Sequence, residues 1–375
     1  MASKIEKLNS INEKVLEKFL LEISNIEGGS GDEEKIANYI KSELKKFGYT
    51  KFKRDNLGTI SVIIKGSENG APKTIIESHM DAPSFMVKEI TKDGFLKFSP
   101  VGGWWSHVLL GQMLKVINSK NKSYLGIIGA KPPHVVGINE RNKVIPIEKL
   151  FIDLGSKSKK ETIDKFGINI GDRVTPYVNA IRLNNTDLFA GNGYDDRAGC
   201  AVNFMLLKWI KEKKIKPKGD IIITFSTQEE VGLRGAKTAS QMFNADIGFG
   251  LDVTIAFDTP GMEDGNVKLR TGVSLGVMDG RTIGSKTLFN FMEKLATNNK
   301  IKYQPDVLPY GGTDAAEIQR AHDGSYAMSL SIPMRYLHTH HETVSIDDIK
   351  ETIRILEAYI ENINKEIYEN EIKFK

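Results

Sequence analysis

Between residues 4 and 24, Ile5, Leu8, Ile11, Val15, Leu16, Phe19, Leu20 and Ile23 recur every three or four positions with charges between them, the spacing of an amphipathic helix. Gly28-Gly29 ends that pattern. Ser30 and Glu33 follow as a capping-box pair, and Ile36, Ile40 and Leu44 supply the apolar face of a second helix. After Gly48 the period shortens, and Ile60–Ile64 and Thr74–Ser78 read as strands, the second running straight into His79-Met80-Asp81. From about residue 84 Gly and Pro become frequent and helical periodicity fades, leaving short β-like runs such as Tyr124–Ile128 and His134–Gly137. This texture predicts a β-rich domain, 84–183, inserted into a surface loop of a first domain formed by 1–83 and 184–375. Beyond it, strands (Ile221–Ser226, Ile247–Leu251, Ala327–Ile332) alternate with helices after Asp195-Asp196-Arg197, near Gly235, at Lys286–Asn299 and from Ile346 to about Tyr368. The expected fold is α/β: a mostly parallel sheet covered by helices on both faces, plus the insertion.

Composition narrows the function classes. Fifty-two basic and 48 acidic residues leave a net charge of only +4. No basic tract with interleaved aromatics occurs, so a nucleic-acid partner is not implied. No apolar run approaches the roughly 20 residues that span a bilayer, and the N-terminal segment lacks the apolar core of a signal peptide. Cys200 is the single cysteine, which excludes an intrachain disulfide and suits a reducing, cytoplasmic setting.

The acidic residues and histidines fall at informative places. His79 and Asp81 follow one predicted strand, Glu229 and Glu230 follow Ile221–Ser226, and Asp252 follows Ile247–Leu251. His338 comes after Ala327–Ile332, and Asp195 stands at a loop–helix junction. Functional groups in open parallel sheets gather at the carboxyl ends of strands. Each piece has an ordinary alternative: His-x-Asp as a hydrogen-bonded pair, Glu-Glu as two solvated charges, Asp195 as a helix cap, Asp252 as a turn starter. Their convergence on one sheet edge favours a metal, because desolvating so many carboxylates without a cation is costly. Mixed His and carboxylate ligands suit Zn, Co or Mn. A further unligated carboxylate must take the proton from the attacking water, and adjacent glutamates can divide those two tasks.

The chain resembles the tetrahedral (TET) aminopeptidases, a dinuclear metallopeptidase family also called glutamyl aminopeptidases and sometimes named endoglucanases. The resemblance lies in His79-Met80-Asp81, Phe85–Ile90, Gly102-Gly103-Trp104 and Lys131–His134. It continues in Asp153-Leu154-Gly155, Gly171-Asp172, Asp195–Gly199, Gln228–Ala236, Gly312–Ala315 and Arg335–His338. It implies two divalent ions per subunit, with Asp195 bridging them, His79 and Asp252 completing one site and Glu230 and His338 the other. It also implies Glu229 as general base toward a metal-bridging water, and Asp81 accepting a hydrogen bond from the His79 imidazole. The implied activity is removal of N-terminal residues from short peptides, and the inserted domain is implied to mediate dimers that build a hollow dodecamer. Two stretches depart from the family pattern: Ala82-Pro83, where an acidic residue is usual, and Gly272–Asp279, which lacks a Gly-Pro.

The same residues admit a metal-dependent amidohydrolase of N-acylated amino acids or small amides. Glycoside hydrolysis requires two carboxyl groups about 5–9.5 Å apart and no metal, which the histidines argue against. A non-catalytic assembly protein would not be expected to retain the whole constellation. His340 and His341 read as exposed or pocket-rim residues, and His107, His134 and His322 as surface or loop positions. Asp314 reads equally as ligand orienter or helix cap, and Asp196 and Arg197 as supports of the bridging loop. Trp104 and Trp105 read as packing residues, and Cys200 as a buried small hydrophobe.

Overall fold

The computed structural model describes residues 11–262 and 265–375. Two helices come first, α1 (Glu13–Ser24) and α2 (Glu34–Lys45), and the apolar positions the periodicity selects, from Leu16 to Ile23 and from Ile36 to Leu44, are buried. Ile5 and Leu8 of the first predicted helix lie outside the described residues. Asn12 caps α1 by accepting from the Val15 amide. The Ser30–Glu33 capping box is not formed: Glu33 stands at the N-cap of α2 without a side-chain cap, and both side chains point to the functional edge instead.

Strands β1 (Lys53–Arg54), β2 (Ile60–Ile64) and β3 (Thr74–His79) lead into a run of antiparallel strands, β4 (Ser84–Ile90), β5 (Leu96–Val101), β6 (Met113–Ile117), β7 (Ser123–Gly129), β8 (Phe151–Asp153) and β9 (Arg173–Pro176). These six close a barrel in the order β4-β5-β8-β7-β6-β9, around a core of its own that includes Phe85, Leu96, Leu114, Ile152 and Val174. The expected β-like run His134–Gly137 is instead a 3-10 turn over Pro133–Val135 leading to a helical turn at Ile138–Arg141. Pro132 and Pro133, which lack amide donors and hold φ near −65°, favour that turn over a ladder.

The chain returns through β10 (Ile181–Arg182), β11 (Leu188–Gly191), α3 (Tyr194–Glu212), β12 (Ile221–Ser226), α4 (Arg234–Phe243), β13 (Ile247–Ile255) and β14 (Val273–Met278). It ends with α5 (Lys286–Asn298), β15 (Tyr303–Val307), α6 (Ala315–Gln319), β16 (Tyr326–Arg335), β17 (Glu342–Ser345) and α7 (Ile346–Asn362). The eleven-stranded sheet has the order β1-β2-β12-β3-β13-β16-β17-β11-β10, with β14 joined to β16 and β15. A mostly parallel sheet was expected, and the sheet is mixed. Its centre, β12-β3-β13-β16, is parallel, and so is β14-β15, but every other pairing is antiparallel. The parallel strands β3 and β12 are buried along their whole length, as parallel ladders require, whereas the outer strands reach solvent.

Alternate residues of the central strands enter separate clusters. Ile76, Ile221, Ile223 and Phe225 pack with Leu20, Phe204 and Tyr359, whereas Ile75 and Ile222 pack with Ala239 and Ile318. Helix α7 stops at Asn362 rather than near Tyr368, and Asn364 opens a new turn by accepting from the Ile367 amide at 2.9 Å. Among the described residues no helix is long and apolar enough to cross a membrane.

Candidate metal centre

Parallel pairing of β3 with β12 and β13 brings their ends to one edge. His79 is the last residue of β3 and pairs with Ser226, the last of β12, so the Glu229-Glu230 loop emerges beside it. Asp252 does not end its strand as expected: β13 continues to Ile255, and Asp252 reaches the edge from within it, opposite Ser331. Asp195 comes from the first turn of α3, where Asp195 and Asp196 depart from helical φ/ψ and their peptide is cis. His338 follows β16.

Distances bring all six of these residues together. The two oxygens of Asp195 face different histidines, Oδ1 at 3.1 Å from His79 Nε2 and Oδ2 at 3.3 Å from His338 Nε2. His79 Nε2 is 3.9 Å from Asp252 Oδ1, and His338 Nε2 is 3.5 Å from Glu230 Oε1. His79–Asp195–Asp252 and Asp195–Glu230–His338 each converge to within 4.8 Å, as does a third set, His79–Glu229–Glu230. Glu229 Oε2 stands 3.9 Å from His79 Nε2.

Asp81 holds the edge in a way the sequence did not indicate. The His79 Nδ1 contact at hydrogen-bond length is to the Asp81 backbone carbonyl, 3.0 Å, with the carboxylate at 3.6 Å. The Asp81 carboxylate instead accepts from the amides of Glu229 (3.0 Å) and Glu230 (3.3 Å) and from the Ser30 hydroxyl (2.7 Å). Glu33 accepts from the Gln228 amide at 3.0 Å, so the former capping pair braces the glutamate loop. Gln228 and Leu233, which flank that loop, and Tyr336 and His338 all have φ between 54° and 61°, a conformation costly for non-glycine residues and concentrated at sites the surroundings over-determine.

Burial sets the electrostatics. It pushes the carboxyls of Glu229, Glu230 and Asp252 well above the usual range, and their mutual repulsion with Asp195 adds to the effect. Burial would lower His79, but its interactions as a donor toward the Asp195 and Asp81 carboxylates and the charge of Glu229 prevail and raise it. Asp195 moves the other way: burial opposes its ionisation, and the two histidines overcome that and hold it low. Among the described residues, Glu230 Oε1 is buried with no hydrogen-bond partner.

Further groups surround these residues, of which Glu342 had no sequence signal. Glu342 is buried, accepts from the Asp195 amide at 3.2 Å, and is pushed to about 8 by burial and by Asp195. Asp314 accepts from Ser226 at 2.7 Å and makes no cap bond to α6, so it is a brace beneath the strand ends. Of the remaining histidines, His340 is not at the rim but buried, 5.4 Å from the Trp104 ring, and burial lowers it to about 4. His341, His107 and His134 are exposed, and His322 contacts the Gln241 carbonyl. Trp104 packs on Phe85 and Trp105 is exposed. Arg197 binds only backbone carbonyls, Asp196 accepts from Gly199, and the Cys200 thiol donates to the His79 carbonyl at 3.1 Å.

The barrel reaches this edge through Gly102-Gly103. A Cβ on Gly103 would stand 2.9 Å from His338 Nδ1, too close for the ring to stay. Gly103→Ala is expected to rotate His338 away and weaken divalent-metal binding by about 10–100-fold, the range for disturbed ligand support. Competitive chelator titration checks this, and unchanged metal affinity would contradict it.

A parallel-centred sheet with histidines and carboxylates gathered at its C-terminal edge defines the class of protein: an α/β protein with the side chains to hold metal. The chain belongs to the M42 glutamyl aminopeptidase family, whose profile matches residues 58–355. It is therefore a hydrolase of peptide bonds, an aminopeptidase. It is 31% identical to the glutamyl aminopeptidase of Lactococcus lactis subsp. cremoris over 345 residues, 92% of this chain and 95% of that protein. Among solved structures, a TET aminopeptidase from a marine-sediment Thaumarchaeota archaeon superimposes with TM-score 0.91 at 30% identity, over 96% of this chain and 99% of that one. The Pyrococcus horikoshii TET1 peptidase, which can assemble into a tetrahedron or a large octahedral shell, matches with TM-score 0.82 at 30% identity, over 92% and 99%.

Proposed function

We propose that this aminopeptidase removes N-terminal residues from short peptides with two divalent metal ions per subunit. The observation that carries the reading is Asp195: one carboxylate turns each of its oxygens toward a different His-carboxylate set. The donors fit such ions. Four carboxylates crowd two imidazoles in a buried site, burial and repulsion oppose the ionisation of three of them, Glu229, Glu230 and Asp252, and among the described residues Glu230 Oε1 has no hydrogen-bond partner. Cations would compensate all of these charges at once. Asp195 would be shared, with His79 and Asp252 on one ion and Glu230 and His338 on the other. The mixed N/O donors suit Zn or Co, and also Mn.

When bound, the pair supplies Lewis acidity to the scissile carbonyl and makes water a better nucleophile. Glu229 takes the proton from that water and returns it to the leaving amine. Its backbone is tied to Asp81, which leaves the side chain aimed at the edge. Asp81 therefore acts as the residue that positions both glutamates, while its carbonyl orients the His79 ring.

The barrel, taken with its flanks as 84–183, would serve dimer formation, and dimers would build a closed shell, a dodecamer. The assembly of the Pyrococcus horikoshii TET1 peptidase supports this, and so do exposed Trp105, Leu110, Leu125 and Ile127 on the barrel. A cytoplasmic setting is supported by the lone, buried, unpaired Cys200.

Chelator-stripped protein is expected to be inactive and to recover with Zn or Co. After recovery it should cleave peptides with a free N-terminus and spare their N-acetylated counterparts. Hydrolysis of the acetylated series alone would replace this reading with an amidohydrolase.

A further inference from the structure

Beside the proposed ligands lies a cavity of about 400 Å³ that extends from Asp252 along β13 and across to β14 and β15. Its walls include small residues, Gly276, Gly284, Ser329 and Ser331, which leave depth. Asp306 of β15 lines this cavity and is 8% exposed. Its Oδ2 accepts from the Thr254 hydroxyl at 2.7 Å and the Ser274 hydroxyl at 3.1 Å. Among the described residues its Oδ1 accepts no hydrogen bond and no cation pairs with it. Thr254 stands two residues beyond Asp252 on the same strand, so the carboxylate lies about 7 Å along β13 from that ligand, plus the reach of one hydroxyl contact.

The other charges on that side are Asp279 and Arg281. Asp279 Oδ1 is committed to its own turn, accepting from the amides of Arg281 (2.7 Å) and Thr282 (2.6 Å), and its Oδ2 faces the hydroxyls of Ser329 and Thr313 at 3.3 and 3.4 Å. Arg281 is exposed. Away from the metal ligands the cavity thus carries two carboxylates against one guanidinium, and the deeply buried charge is a carboxylate. The unshared oxygen of Asp306 is therefore open to an incoming cation, which would form a charge-assisted hydrogen bond there.

We propose that this cavity receives the side chain of the substrate's N-terminal residue and that Asp306 selects a basic one, lysine or arginine. The inference rests on the aminopeptidase reading above and names its substrate class. Lysine's four-carbon stem carries its ammonium past the wall residues Met278 and Leu308 to the unshared oxygen, forming a charge-assisted hydrogen bond. A glutamate side chain meets a like charge there, and leucine leaves Asp306 uncompensated. Selection of this kind departs from the glutamyl label of the family.

The metal-loaded enzyme is assayed with matched peptides bearing N-terminal Lys, Arg, Leu or Glu, and metal-loaded Glu229→Gln is titrated with the same peptides by calorimetry. Lys and Arg are expected to exceed Leu and Glu by about tenfold or more in kcat/KM and in affinity. Asp306→Asn, which can still accept from Thr254 and Ser274, is expected to shrink the Lys-over-Leu ratio by about the same factor. Leu or Glu ahead of Lys overturns the inference, as does a Glu preference that vanishes in Arg281→Ala. If no peptide turns over but Glu229→Gln still binds the Lys peptide about tenfold tighter, the aminopeptidase reading fails while the assignment of the cavity stands.

Discussion

Glu229→Gln is expected to lower kcat by about 10²–10⁴-fold, the usual range for a lost general base, while leaving fold and metal content intact. The amide has the size of the carboxylate but cannot take a proton from water. Its backbone anchor is unaffected, because the Glu229 amide donates to Asp81 Oδ1 at 3.0 Å whatever the side chain is. The geometry also offers the opposite division of labour, since His79, Glu229 and Glu230 converge to within 4.8 Å as well. The two assignments separate cleanly. If Glu229 is the base, the variant keeps two metal equivalents by elemental analysis and loses turnover. If one equivalent is lost with the activity, Glu229 is a ligand and Glu230 must be considered as the base.

Arg197→Ala is expected to destabilise the fold by about 3–5 kcal/mol, the range for truncating a large buried side chain to alanine, with its carbonyl acceptors left unsatisfied. Arg197 is 2% exposed, and its guanidinium donates to the carbonyls of Met80 (3.3 Å), Ile23 (3.2 Å), Ser24 (3.4 Å), Ile26 (2.8 Å) and Gly28 (2.9 Å). One side chain of α3 thereby ties the end of α1 and the following loop to the segment that carries Asp81. Burial lowers its pKa to about 10, which leaves it charged at neutral pH. Alanine leaves a cavity and strands these acceptors, each costing about 1–3 kcal/mol if unsatisfied. Arg197→Lys is expected to rescue little, because an ammonium lacks the planar five-donor fork. Urea unfolding followed by circular dichroism checks both variants. A loss under about 1 kcal/mol for Arg197→Ala would show that water replaces the guanidinium at this site.

How much was legible in the sequence depends on the range of the interaction. Helices α1, α2, α5 and the first part of α7 could be read because their buried faces repeat within one element. The metal-competent residues could be read for a related reason: β3 and β12 carry the apolar runs Ile75-Ile76 and Ile221–Ile223, so the histidine and carboxylates at and past their ends stand out. The chain alone therefore indicated an α/β body with a β-rich stretch after residue 84, and pointed to His79, Asp195, Glu229, Glu230, Asp252 and His338, which the fold brings to one edge.

Tertiary structure decided what depends on partners distant in sequence. Ser30 and Glu33 fit a local cap, yet the Asp81 carboxylate and the Gln228 amide are better partners once β3 and β12 lie side by side. Glu342 and Asp314 carry no periodic signal, because each is defined by one contact, with the Asp195 amide and the Ser226 hydroxyl. The mixed sheet is likewise a matter of which edges meet solvent, and the depth at Asp306 follows from small residues on other strands leaving space. Local spacing reports burial along one element. Hydrogen bonds and counter-charges between elements exist only after packing removes water from between them.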